Sequence, residues 1–294
     1  MKKQQLRRLI KFAIQPLFHP RVPFSLRRKL MKSAALLQRK QRGVQRDELI
    51  LGGVVTYKAA AAHAGSLHIL YLHGGGYVFG DVSTHRQIVD GLAVIGRATV
   101  WMPHYRLAPE KPFPAALDDA VAAYEALLDK AISPNDIIVA GDSAGGGLSV
   151  ALAVRLRDEG VPLPRGLALF SPWVDLTVTR ASHFGNAALD PMLLPSGLQH
   201  CAAAYCTQTP REHPLCSPLF ADLQGLPRML IQVGTDEILL DDAVELHKAA
   251  VKAGVSADLQ VFEGMWHVFQ LHCHQLPEAT QAVKQALQAL APPQ

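Results

Sequence analysis

The sequence has few of the features on which small secreted proteins and membrane-spanning proteins depend. It contains four cysteines in 294 residues, too few and too unevenly spaced for a disulfide framework. No apolar run is long enough to cross a bilayer. The composition, 49% hydrophobic and 18% charged, is typical of a globular protein with a substantial core and excludes disorder. We therefore predict reduced thiols and a cytoplasmic location.

The spacings that usually mark metal sites are also missing. Cys201 and Cys206 lie near His200 and His213 in the chain, but no C-x-x-C or H-x-x-x-H pair occurs. We therefore expect no metal site.

Acidic residues are absent from the start of the chain. Residues 1–46 contain 14 Lys and Arg and no Asp or Glu, so the remainder carries an excess of acidic side chains. Such an arm could contact nucleic acid or an anionic membrane, but aromatic residues are sparse in it. Pro16 and Lys11 interrupt its apolar stretch, and no cleavage site follows, so we expect no signal peptide. We call residues 1–45 the N-terminal arm and expect an amphipathic helix that packs on the body, without stable membrane insertion. The apolar residues at helical spacing are Leu6, Leu9, Ile10, Ala13 and Ile14.

Beyond the arm, apolar strand candidates alternate with helical patterns. This alternation predicts an α/β fold with a mainly parallel central sheet flanked by helices. Residues 175–225 break the rhythm and read as an insertion. The predicted strands are 54–57, 67–72, 98–102, 137–141, 167–170, 229–233 and 259–262.

One stretch combines a buried strand with a reactive side chain. The strand that begins at Ile137 runs into Gly141-Asp142-Ser143-Ala144-Gly145, which matches the G-x-S-x-G nucleophile elbow. Glycine two residues before and after the serine prevents side chains from colliding in the sharp turn. We therefore predict Ser143 as the nucleophile.

A second glycine-rich loop follows an earlier strand. His73-Gly74-Gly75-Gly76 matches the HGGG-type oxyanion loop of esterases. Attack on a carbonyl generates an oxyanion that needs preorganised donors. We expect the backbone N–H groups of Gly75, Gly76 and Ala144 to supply them.

A serine nucleophile also needs a histidine base and a carboxylate that orients it. Asp236 and His267 each follow a late strand, in the chain order of α/β-hydrolases. We predict Ser143, Asp236 and His267 as the catalytic triad. Glu237, Asp241 and Asp242 are competing carboxylates, and His272 and His274 are competing bases.

Together these motifs identify a family. The chain resembles the hormone-sensitive-lipase-like carboxylesterases of the α/β-hydrolase fold (bacterial family IV), from about residue 50 to the C-terminus. Besides the two glycine motifs, the matching stretches are Tyr105-Arg106-Leu107-Ala108-Pro109-Glu110, Ser171-Pro172-Trp173 and Asp236-Glu237-Ile238-Leu239-Leu240-Asp241.

The resemblance implies a serine carboxylesterase that hydrolyses short- to medium-chain acyl esters through an acyl-enzyme, without metal or cofactor. It implies a helical cap built from residues 1–45 and about 180–215, over a catalytic domain of residues 46–179 and 216–294. We expect Trp173, Met265 or Trp266 to line the substrate pocket. Dimers are frequent in this family, so a homodimer is compatible with the resemblance.

Three other functions are compatible with parts of this pattern. An amidase or lactonase would use the same acyl-transfer groups. A non-catalytic small-molecule receptor on the same fold would not need His267. Nucleic-acid binding by the N-terminal arm is the third, and we predict that nucleic acid is not a partner.

Overall fold

The computed structural model describes residues 3–35 and 41–291. Strands alternate with helices along most of this length, as the apolar pattern predicts. The strands are β1 (Val44–Leu51), β2 (Val54–Ala61), β3 (His68–Leu72), β4 (Thr99–Pro103), β5 (Ile137–Asp142), β6 (Gly166–Phe170), β7 (Arg228–Gly234) and β8 (Ala257–Phe262). The helices are α1 (Lys3–Leu9), α2 (Phe24–Ala35), α3 (Val82–Gly96), α4 (Ala115–Asp129), α5 (Ala144–Asp158), α6 (Ala181–Gly185), α7 (Pro195–Tyr205), α8 (Leu240–Lys252) and α9 (Pro277–Leu290).

The eight strands form one sheet in the order β1-β2-β4-β3-β5-β6-β7-β8. Strand β2 is antiparallel to both of its neighbours, and every other pairing is parallel. The central strands β5 and β6 are buried along their whole length, which explains why they lack a two-residue alternation. The predicted α/β fold with a mainly parallel sheet is confirmed.

Strand β1 is missing from the sequence prediction. Its residues include Gln45, Arg46, Asp47 and Glu48, and most of them are partly or fully exposed. Because β1 pairs only with β2 at the edge of the sheet, one side of it never enters the core. A polar edge strand of this kind is therefore not recognisable as an apolar run in the sequence.

The sheet order gathers the sequence motifs at one place. Strand β3 lies between β4 and β5, so successive connections leave β3 toward opposite sides of the sheet. Such a switch point opens a crevice at the carboxyl ends of the strands. The loop after β3 begins at His73, and Ser143 directly follows β5.

The N-terminal arm and the segment 181–205 contact each other. Gln15 Nε2 donates to the carbonyl oxygen of Asp190 at 2.9 Å, and the rings of Phe24 and His200 stack with centroids 4.5 Å apart. The arm comprises α1, a π-helical turn over Ile10–Ile14, a short 3-10 helix over Gln15–Phe18, and α2. Within the described residues, no helix is both long and apolar enough to span a membrane.

Candidate active site

Ser143 occupies the turn between β5 and α5. Its backbone has φ +53° and ψ −123°, a strained conformation for a residue with a Cβ atom. A Cβ atom on Gly141 would overlap the carbonyl oxygen of Gly145, and one on Gly145 would overlap that of Leu72. The glycine positions predicted for the elbow are thus required by close backbone approach.

The glycine loop after β3 presents free donors beside this turn. Gly75 and Gly76 have φ of +117° and +61°, a region that favours glycine. Among the described residues, their N–H groups donate to no other protein group. The N–H of Gly74, by contrast, donates to Asp142 Oδ1 at 2.9 Å.

Asp142 connects the nucleophile turn to the glycine loop. Besides Gly74, it accepts a hydrogen bond from the Tyr71 hydroxyl at 2.6 Å, and it lies 3.3 Å from His85 Nε2. Burial favours a higher pKa for Asp142, but His85 and the hydrogen bonds outweigh it and lower the pKa below its ordinary value. This buried carboxylate fixes the two loops relative to each other.

The carboxylate on His267 is that of Glu237. His267 Nδ1 lies 2.8 Å from Glu237 Oε2, and both side chains are buried. Glu237 Oε1 accepts hydrogen bonds from the Ser171 hydroxyl at 2.8 Å and from Gly234 N at 2.6 Å. Because an ionised carboxylate only accepts, the proton of a neutral imidazole lies on Nδ1, and Nε2 keeps its lone pair.

The predicted role of Asp236 beside His267 is therefore wrong. Asp236 Oδ2 pairs with Arg7 Nη1 at 2.5 Å, and its side chain is 20% exposed. Backbone hydrogen bonds fix the turn on both sides of Glu237: Asp236 N donates to Met265 O, and Ile238 N donates to Asp190 Oδ2. In this turn the two adjacent side chains diverge, so only Glu237 points into the core.

The other competing carboxylates hold the segment 181–205 in place. Asp242 Oδ2 lies 2.7 Å from His183 Nε2, and Asp241 Oδ2 accepts from Ser182 N at 2.7 Å. Neither contacts His267, so neither is the carboxylate that orients this imidazole.

Asp190 is a buried carboxylate that the sequence reading missed. It accepts hydrogen bonds from the N–H groups of Met192, Leu193 and Ile238. Burial raises its pKa to about 6, although the nearby His267 and these N–H groups act in the opposite direction. Asp190 thus joins the turn that carries Glu237 to the segment 181–205.

The pKa of His267 is raised above its ordinary value of 6.5. Burial alone would lower this pKa, but the hydrogen bond and charge of Glu237 outweigh burial, with further contributions from Asp190 and Asp142. The surrounding carboxylates therefore favour the imidazolium form, which appears when a base has accepted a proton.

Ser143 and His267 face one cavity. The space between them, including the open mouth, measures about 690 Å³. The glycine loop forms one side, the N-terminal arm forms a second, and residues 192–201 form a third. The apolar side chains on these walls include Ile14, Phe18, Met31, Phe79, Leu193, Leu198 and Leu271.

The predicted pocket residues Trp173, Met265 and Trp266 do not line this cavity, and that prediction is wrong. All three are fully buried. The Trp173 indole donates to Asp175 O at 3.0 Å, and the Met265 carbonyl accepts from Asp236 N at 2.9 Å. They lie in loops beside the catalytic turns and support them from behind, so proximity in sequence to Ser171 and His267 does not bring their side chains into the cavity.

No metal centre accompanies the site. Within residues 3–35 and 41–291, no group of three or more His, Cys, Asp or Glu side chains is arranged to hold a metal ion. The four cysteines carry free thiols.

The chain is similar in sequence to known hydrolases. The family described as alpha/beta hydrolase fold matches residues 69–271. An acetyl-hydrolase of Streptomyces hygroscopicus is 44% identical over 218 residues, which cover 74% of this chain and 73% of the relative. An esterase of Acinetobacter venetianus is 39% identical over 241 residues, 82% of this chain and 80% of the relative.

Solved structures extend the likeness to nearly the whole chain. A crystal structure of an esterase from the bacterial hormone-sensitive lipase family has a TM-score of 0.92 and 40% identity, and the match covers 99% of this chain and 98% of that one. The crystal structure of the esterase EstE5 soaked with p-nitrophenyl butyrate has a TM-score of 0.92 and 39% identity, covering 98% and 96%. This chain therefore belongs to the alpha/beta hydrolase fold family, among the esterases of the bacterial hormone-sensitive lipase type.

Proposed function

We propose that this protein is a serine carboxylesterase whose triad consists of Ser143, Glu237 and His267. The observation that carries the proposal is the buried hydrogen bond between His267 and Glu237, made by an imidazole that faces the same cavity as Ser143. Glu237 takes the role that the sequence pattern suggested for Asp236.

The reaction begins when His267 Nε2 accepts the hydroxyl proton of Ser143 and Oγ bonds to the ester carbonyl carbon. The negative charge on the carbonyl oxygen is stabilised by the N–H groups of Gly75, Gly76 and Ala144. Glu237 stabilises the imidazolium, and it keeps its own negative charge throughout.

The intermediate collapses as the ester C–O bond breaks, and the departing alcohol takes the proton from His267 Nε2. Water then attacks the acyl-enzyme, with Nε2 as its base, and the carboxylic acid leaves Ser143. Every step in this scheme uses a protein side chain, a backbone N–H group or water, so no metal or cofactor enters it.

The substrates that we propose are small-molecule esters with short to medium acyl chains. The cavity walls are mainly apolar, and apolar walls with a few polar groups are typical of small-molecule sites. We further propose that the N-terminal arm and about residues 180–215 act as a cap over the catalytic domain, because both contribute walls to the cavity. The cytoplasmic location and a homodimer stay predictions.

The test is a rate series on p-nitrophenyl esters from acetate to palmitate, for the wild type and for Ser143→Ala. We expect the highest kcat/KM at short or medium chains and no measurable turnover by Ser143→Ala, with an unchanged melting temperature. Substantial hydrolysis by that variant would refute the role of the serine. Ester hydrolysis that is weaker than hydrolysis of matched amides or lactones would favour the amidase or lactonase alternative.

A further inference from the structure

The N-terminal arm has two faces with different surroundings. On its inner face, Leu6 and Ile10 are buried in the core, while Ile14, Phe18 and Met31 line the catalytic cavity. The prediction that Leu9 and Ala13 share this packed face is wrong, since both are exposed. The outer face therefore carries apolar side chains that the body does not cover.

Two pairs of large apolar side chains in the arm are exposed. Phe12 is 76% exposed and Leu9 53% exposed, and the two lie one helical turn apart. On α2, Leu26 and Leu30 are 46% and 42% exposed and are also one turn apart. Exposing clustered groups of this size to water is unfavourable, and such clusters usually mark a contact surface.

The arm is also basic. Arg8, Lys11, Arg21, Lys29 and Lys32 are exposed, and none of them forms a salt bridge within the described residues. The arginines that do have partners, such as Arg7 with Asp236 and Arg28 with Glu110, hold the arm on the body. No carboxylate occurs within residues 1–46 to reduce the positive charge.

We infer that the outer face of the N-terminal arm docks on the surface of a phospholipid membrane that contains anionic headgroups. Helices that lie in such a surface combine exposed aromatic and aliphatic residues with Lys and Arg on the flanks, and juxtaposed basic residues are attracted by the negative surface potential. Leu9 and Phe12 alternate with Arg8 and Lys11 in this way.

The charge pattern distinguishes this partner from two others. Nucleic acid would use the basic side chains but would leave Phe12 and Leu9 in water, because phosphate contacts dominate its binding. A second copy of this chain would bring two strongly basic arms together, which is electrostatically unfavourable. An anionic lipid surface satisfies both the apolar and the basic groups.

Docking in this orientation places the membrane next to the catalytic cavity. The same segments of the arm supply Ile14, Phe18 and Met31 to the cavity wall on their inner side. Binding requires no insertion of a spanning segment, and the contact should be peripheral and reversible.

The test is co-sedimentation of the full chain with vesicles of phosphatidylcholine alone and of phosphatidylcholine with 30% phosphatidylglycerol. We expect binding to the anionic vesicles, weaker binding to the neutral ones, and release as salt is raised. Leu9→Ser/Phe12→Ser and Arg8→Glu/Lys11→Glu should each lower partitioning onto anionic vesicles by about tenfold or more.

A matched control is available on α8, where Val251 is 52% exposed and Lys252 is also exposed. Val251→Ser/Lys252→Glu should bind the vesicles like the wild type. All variants should keep wild-type turnover of p-nitrophenyl butyrate in the absence of lipid, because the changed side chains do not line the cavity; this also verifies that they fold.

Four results would overturn the inference. The first is equal binding of the wild type to neutral and anionic vesicles, or to neither. The second is anionic-vesicle binding that neither arm variant weakens. The third is self-association in sedimentation velocity that Leu9→Ser/Phe12→Ser abolishes, which would make the outer face an interface between copies. The fourth is tight binding to duplex DNA with no vesicle binding, which would assign the basic groups to nucleic acid.

Discussion

The carboxyl edge of the sheet and the N-terminal arm border the same cavity but are held in different ways. At the sheet edge, buried carboxylates make several hydrogen bonds each to backbone and side-chain groups, as Asp142 and Glu237 do. The arm is attached through the buried side chains of Leu6, Ile10 and Arg27 and through partly exposed arginines, among them Arg7 and Arg28. The comparison indicates that buried hydrogen bonds fix the reacting groups, whereas part of the substrate wall belongs to a layer held by side-chain packing and partly exposed ion pairs.

The border between the two regions runs between consecutive residues. Glu237 is fully buried and contacts His267, while Asp236 is turned outward and contacts Arg7 of the arm. In the proposed triad Glu237 therefore orients His267, whereas Asp236 helps to attach the arm. The predictions below test whether this division holds.

The largest effect is expected for the two acid substitutions. Glu237→Gln keeps the shape but removes the charge that stabilises the imidazolium, so kcat should fall by about 10³-fold or more. Asp236→Asn should change kcat less than about threefold, because its partner is a partly exposed arginine. Steady-state kinetics on p-nitrophenyl butyrate measures kcat for both variants. Equal losses of kcat would show that the two carboxylates do not differ in role.

A second contrast concerns stability at two glycines. Gly145→Ala forces a Cβ atom into the carbonyl oxygen of Leu72 and should lower the free energy of unfolding by about 3 kcal/mol or more. Gly185→Ala, at the end of α6, meets nothing within 4 Å and should be neutral or slightly stabilising. Urea unfolding measures the free energy of unfolding of both variants. An unchanged value for Gly145→Ala would contradict the close backbone packing described at this turn.

The pH dependence of activity should reflect the buried carboxylates around His267. His267 must be neutral to act as base, and its pKa is raised above 6.5. Activity should therefore be full at higher pH and fall as pH decreases, with a midpoint above 6.5. Asp190→Asn removes one contribution that raises this pKa, so its midpoint should move to lower pH. A profile of kcat/KM from pH 5 to 9 tests this, and an unchanged midpoint in the variant would contradict the electrostatic role of Asp190.

The smallest effect is expected for the attachment itself. Arg7→Ala removes an ion pair whose side chains are 23% and 20% exposed, so the free energy of unfolding should fall by about 1 kcal/mol or less. A thermal melt and the KM for butyrate esters are the measurements. A loss of several kcal/mol would place the arm in the same structural unit as the sheet edge.

The sequence predicted those parts of the site that need an unusual backbone. Ser143 and the loop of Gly75 and Gly76 lie at strand ends where only certain residues fit, and such constraints are visible in local motifs. The prediction of His267 has a different basis, namely its position shortly after the last strand. For these residues, local chemistry and three-dimensional position are closely linked.

The acid and the cavity wall were not predictable in this way. Asp236 and Glu237 are adjacent and chemically alike, and only the hydrogen bonds of the turn decide which one points inward. The wall comes from Ile14, Phe18, Met31 and residues 192–201, whose positions depend on how distant helices dock. Trp173 and Trp266 looked suitable by type and by position in the chain, yet both pack beneath the site.

The double attachment of Asp142 has a consequence for how such proteins diversify. Because one side chain bonds to the glycine loop and directly precedes the nucleophile in the chain, the groups that attack and the groups that stabilise charge form a single preassembled unit. The arm and residues 192–201 line the cavity beside that unit. Grafting these two wall segments from a relative should therefore transfer acyl-chain preference while leaving the intrinsic rate of bond breaking intact.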